Sequence, residues 1–83
     1  MTEQDILAGL GAIIEEIAGV PVDEVTPNKS FVNDLNIDSL SMVEIAVAAQ
    51  DKFGVKIPDD QLKDLTIVQD VVNYVARNAE GSA

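Results

Sequence analysis

The stretch SLSMVEIAVAAQDKF, Ser39 to Phe53, followed directly by Gly54, decides the fold. It holds neither Gly nor Pro and is rich in residues that lose little on entering a helix, while Gly54 readily takes the left-handed conformation that closes one. A helix over Ser39–Phe53 is predicted. Its apolar residues do not form one stripe. Met42, Ile45, Ala46, Ala49 and Phe53 make a core face, whereas Leu40, Val43 and Val47 project from an adjoining arc. Such a helix is either buried on two sides or leaves its second arc exposed as a docking face.

Upstream, residues 19–37 contain Gly19, Pro21, Pro27, Asn28, Ser30 and Asn33 with scattered apolar residues, so no periodicity survives and a long loop is expected. Val25, Phe31, Val32 and Leu35 are the side chains available to pin it down. Before it, Ile6, Leu7, Leu10, Ile13, Ile14 and Ile17 step by three and four, which predicts a first helix over Glu3–Ala18. Thr2 with Asp5 gives a capping-box start and Gly19 a stop. Gly9 and Gly11 weaken this helix locally.

Downstream of VKIP, a short third helix is expected over 59–64, with Leu62 and Leu65 turned inward. Thr66 with Gln69 reads as a second capping box, and Val68, Val71, Val72 and Val75 repeat at helical spacing to about residue 78. Residues 79–83 should fray. The fold class expected is all-α: a single domain over 1–83, a four-helix bundle of three main helices and a short third, with a long loop between the first and second.

Eighty-three residues with 47 % hydrophobic composition suffice for one small core, and the net charge of −10 makes the surface strongly anionic. That charge disfavours nucleic acid and acidic lipid and favours partners with basic patches. Cysteine, histidine and tryptophan are absent. Without His or Cys the usual base and nucleophile near neutral pH are missing, so an enzyme is not expected. MTEQDIL lacks a basic region followed by an apolar run, and no run is long enough to span a bilayer, which together lead to the expectation of a soluble, cytoplasmic protein; a monomer is expected as well.

The chemistry concentrates in DLNIDSLSMVE, Asp34 to Glu44, where the loop enters the second helix. Asp34, Asn36 and Asp38 fall at the first, third and fifth positions of an EF-hand loop. The sixth, however, is Ser39 where Gly is needed, and the twelfth is Ile45 where Glu is needed. No metal site is expected there. Asn36, Asp38 or Ser39 could cap the helix. Alternatively, Ser39 presents its hydroxyl for modification, and a phosphodiester formed there would lie against the positive end of the helix dipole. No base for Ser39 is evident, so any reaction at its hydroxyl would require another enzyme.

IDSLSMVEI followed by FGVKIPDD resembles the acyl carrier protein family, and the resemblance extends over nearly the whole chain. It implies 4'-phosphopantetheine on Ser39, derived from coenzyme A, with Asp38 near the magnesium of a phosphopantetheinyl transferase. Leu40, Val43 and Val47 would meet partner enzymes, and Glu44, Asp51, Asp59 and Asp60 would pair with their Arg and Lys; the ordinary alternative for each acid is a solvated surface. The implied partners are fatty-acid synthase enzymes with basic docking patches: ketosynthase, ketoreductase, dehydratase, enoyl reductase and malonyl transferase. A growing chain would fold back between the second and third helices against Met42, Ala46, Ile57, Leu62 and Leu65, leaving only a small or closed cavity in the unloaded protein. Gln50, Lys52 and Asn36 depart from acids frequent in bacterial relatives. Type II fatty-acid synthesis of an actinobacterial kind is the first choice of pathway, type II polyketide synthesis the nearest rival, and an acidic interaction or calcium-binding module the alternative of another class.

Overall fold

Thr2 opens the first helix by a reciprocal cap: its hydroxyl accepts from the Asp5 N–H at 3.1 Å, and the Asp5 carboxylate accepts from the Thr2 N–H at 3.3 Å. The helix, α1, spans Glu3–Ala18 and ends on Gly19 at φ 74°. The computed structural model describes residues 2–81, and of Asp59 and residues 79–81 only the backbone. Three further helices follow: α2 at Ser39–Phe53, α3 at Asp59–Leu62 and α4 at Val68–Gly81. α3 is two residues shorter than expected. α4 runs three residues past the expected end because residues 79 and 80 are Ala and Glu, both good helix formers, and no breaker precedes Gly81. Residues 82 and 83, the rest of the expected loose tail, lie outside the described residues.

The core is a single apolar cluster in which α1 packs against both α2 and α4. Ile6, Leu10 and Ile14 of α1 meet Ile45 and Ala49 of α2 and Val68, Val71, Val72 and Val75 of α4 within it, all of them buried. Burial explains why a valine-rich segment of weak intrinsic propensity is helical. The two glycines of α1 fall where neighbours come close: a Cβ on Gly9 would stand 2.9 Å from Phe53 Cζ, and one on Gly11 would stand 3.3 Å from Val22. Phe53 and Lys52 thereby seat the end of α2 directly on α1.

The long connection is more structured than its composition implies. It contains a 3₁₀ turn at Val22–Glu24 and an isolated antiparallel bridge between Ser30 and Ile67. The radius of gyration, 11.4 Å, matches the roughly 12 Å of a compact chain this long, so the loop is folded onto the helices. Val25, Phe31 and Leu35 are buried as expected, together with Ile37, but Val32 is 60 % exposed. It points out because Phe31, its neighbour, takes the inward position.

The start of α4 corrects the expected Thr66–Gln69 capping box. Asp70 takes the capping role, its carboxylate accepting from the Thr66 N–H, the Thr66 hydroxyl and the Ile67 N–H at 3.1–3.3 Å. Gln69 bonds Asn73 and Glu3 instead. Two first-turn N–H groups of α4 are satisfied by the loop: Val68 donates to the Lys29 carbonyl and Gln69 to that of Pro27. Phe31 N–H donates to the Thr66 carbonyl. These bonds fix residues 27–31 against 66–69 and so set one wall of the site described next.

Candidate functional site

The turn before α2 is built by Asp34 and Asn36. Asp34 accepts from the Ser30 N–H at 2.7 Å, closing residues 30–35 into a tight turn. Asn36 sits at φ 55°, the left-handed region, where Asn is among the few side chains tolerated. The backbone conformation therefore accounts for an amide at this position. Ile37, buried, then anchors the chain as it reaches the helix.

Asp38 is the N-cap of α2, and its carboxylate accepts from the Ser41 N–H at 2.8 Å. That hydrogen bond stabilises the charged form and holds the Asp38 carboxyl below the usual aspartate range. The three residues that could have capped the helix are thereby sorted. Ser39 is the first helical residue, it is exposed, and no hydrogen bond to its hydroxyl is found among the described residues. Its hydroxyl is free for chemistry and lies at the end of α2 where first-turn N–H groups favour an anion.

Asp34 and Asp38 are each engaged by a different backbone N–H, and no group of three His, Cys, Asp or Glu able to hold a metal is found among the described residues.

Ser39 borders an open cleft of about 450 Å³, largely apolar in its lining. Met42 and Val43 of α2 line it, together with Leu62, Lys63 and Leu65 at and after α3. The wall pinned by the bridge contributes Phe31, Val32 and Asn33, with Ser30 and Thr66 at its hydrogen-bonded edge. Three of the five expected pocket residues, Met42, Leu62 and Leu65, line this cleft. Ala46 and Ile57 do not; they are 6 % and 4 % exposed, part of the core behind it. The expected small or closed cavity is replaced by an open one because the loop, with Val32 turned outward, supplies a wall that helix periodicity alone does not reveal.

The second arc of α2 is exposed: Leu40 is 79 %, Val43 45 % and Val47 57 % accessible. Glu44, Asp51 and Asp60 are exposed as well, while the side chain of Asp59 lies outside the described residues. Leu40, Val43, Glu44, Val47 and Asp51 are spaced by three, one, three and four, so they share one helical face running away from Ser39. Apolar side chains in the middle of an acidic surface make a face suited to brief contact with a basic, partly apolar partner.

Among the described residues, no helix is long and apolar enough to cross a membrane. The sequence matches the family model described as phosphopantetheine attachment site over residues 8–75. It is 75 % identical over 76 residues to a protein named acyl carrier protein from Thermobifida fusca, covering 92 % of this chain and 96 % of that one. An acyl carrier protein from Acidothermus cellulolyticus is 55 % identical over 83 residues, 100 % of this chain and 98 % of its own. A meromycolate extension acyl carrier protein from Mycolicibacterium smegmatis is 60 % identical over 79 residues, 95 % and 80 % of the two chains.

Proposed function

This chain belongs to the acyl carrier protein family, and from that premise we propose that it carries growing acyl chains of fatty-acid biosynthesis, in the cytoplasm, on a 4'-phosphopantetheine arm joined to Ser39 Oγ. Proteins of this family are carriers, not catalysts, and hold that group covalently. When attached, it supplies the thiol on which an acyl group rides as a thioester, which a chain without cysteine cannot supply itself.

The observation that carries the reading is the division of labour at the start of α2: Asp38 is committed to the cap and Ser39 is exposed and unengaged. In the attachment reaction the Ser39 hydroxyl attacks the pantetheine-bearing phosphorus of coenzyme A. The Oγ–P bond forms as the phosphoanhydride bond breaks, adenosine 3',5'-bisphosphate leaves, and the proton passes to a base of the transferase. Asp38 is exposed and kept ionised by its cap, which supports a role for it beside the transferase magnesium. The open cleft beside the hydroxyl supports the fit, since Met42, Val43, Leu62 and Leu65 offer apolar shelter to whatever Ser39 holds.

Leu40, Val43 and Val47 form the apolar centre of the docking face and Glu44, Asp51 and Asp60 its acidic border, with Asp59 a further acid next to Asp60 in the sequence. Partners with Arg and Lys are drawn in by the net charge of −10 and released quickly because exposed ion pairs are weak. Transferase and fatty-acid synthase enzymes are the partners proposed.

Incubation with coenzyme A, magnesium and a broad-specificity transferase tests the site. The chain should gain about 340 Da, one phosphopantetheine less water, and Ser39→Ala should gain nothing. Gain by the alanine variant would refute the site, and no gain by the native chain would refute the carrier reading.

A further inference from the structure

Among the described residues that line the cleft beside Ser39, one is of a charged type, and it is a cation, Lys63. The chain has only five Lys and Arg against fifteen Asp and Glu, so a cation bordering an apolar cleft stands against the general charge of the molecule. Lys63 is the residue directly after α3, and it lines the same cleft as Ser39, Met42 and Val43. Asp38, an exposed carboxylate held ionised by its bond to the Ser41 N–H, immediately precedes the attachment point and is not among the residues lining the cleft.

We propose that Lys63 is a positioning residue that draws the phosphodiester at Ser39 toward the cleft, so that the arm lies along the Met42, Val43 and Leu62 wall instead of extending into solvent. The proposal rests on Ser39 being the attachment point. A phosphodiester is a permanent monoanion at neutral pH, and its bond to Oγ holds it at the cleft rim. Lys63, in the cleft lining, attracts it and Asp38, outside that lining, repels it, so both bias it toward the cleft. The methyl and methylene groups that follow the phosphate then meet apolar side chains. Because Lys63 is exposed, the attraction is screened and biases the arm without locking it. A weak bias suits a carrier, since a partner must be able to draw the arm out.

The test uses the loaded protein, with intact mass confirming one phosphopantetheine on the native chain, Lys63→Glu and Lys63→Arg. Nuclear Overhauser contacts from the arm to the methyls of Val43 and Leu62 are then measured at low salt and at about 1 M salt, where the screening length falls to roughly 3 Å. The native arm should show these contacts at low salt, and Lys63→Glu should weaken them about two- to fivefold, the range for an exposed ion pair. High salt should reduce the native signal to a similar level, and Lys63→Arg should retain it. Equal contacts in native and Lys63→Glu proteins at low salt, or none in the native protein, would overturn the proposal. Failure of the native chain to gain the mass would instead sink the carrier reading on which the proposal rests, so the two failures are distinct.

Discussion

Gly9→Ala sets two known effects against each other at the junction of α1 and α2. Replacing a helical glycine by alanine stabilises a helix by about 0.5–1 kcal/mol through chain entropy. Here the new Cβ would stand 2.9 Å from Lys52 Cε, 2.9 Å from Phe53 Cζ and 3.0 Å from Phe53 Cε1. The lysine tip is free to swing away. The phenylalanine ring is packed against the core and must lift with the end of α2, and overpacking of that kind costs about 1–3 kcal/mol. The crowding outweighs the entropy gain, for a net loss of about 1 kcal/mol, or roughly 4–8 °C in Tm for a domain of this size. Thermal unfolding followed by circular dichroism measures it. In a Phe53→Ala background the ring is gone, and the same change should stabilise by about 0.5–1 kcal/mol. A rise in Tm in the native background, or the same shift in both backgrounds, would refute the packing argument.

Phe31→Ala removes a side chain that is 1 % exposed, at a cost of about 3–5 kcal/mol. Total stability for 83 residues is about 4–12 kcal/mol, so the urea midpoint should fall by at least about a quarter; a shift within error would show that the loop is not pinned through this ring. Glu44→Lys should raise KM for a basic-faced synthase at low salt, with the difference closing as salt is added, and unchanged kinetics at low salt would remove Glu44 from the docking face. Hydrogen bonds hold the Asp5 and Asp38 carboxyls below their ordinary value of 3.8. The folded pKa is thus the lower one, so the stability these caps contribute is present above that value and is lost as pH falls through it and below. The Tm gap between native protein and Asp38→Ala should be flat near neutral pH and narrow below about pH 4; a gap that persists undiminished in strong acid would show that the charge does not matter to the cap.

The bounds of α1 and α2 were legible because their ends are decided locally: Thr2 with Asp5, Gly19 and Gly54 are short-range signals that the structure uses as written. The start of α4 was not. Its free N–H groups find carbonyls of Pro27 and Lys29 some forty residues earlier in the chain, a partnership no local pattern records, and Asp70 rather than Gln69 completes it. At the site, the surplus apolar arc of Leu40, Val43 and Val47 was visible in the periodicity of α2, but whether it was covered depended on tertiary packing, and it is exposed. Lys63, Asn33 and Thr66 went unnoticed as cleft residues because the Ser30–Ile67 bridge brings their segments together. The one signal available for Lys63 was its place, a cation immediately after the short third helix in an acidic chain.

Locating the added group on the chain probes the central claim most directly. After loading from coenzyme A, the protein is digested and the modified peptide fragmented in a mass spectrometer, with Ser39 compared against Ser41 and Ser30, the serines nearest to it in the sequence. The account predicts the whole increment of about 340 Da on Ser39. An increment on Ser41 or Ser30, or none on any of the three, would contradict it.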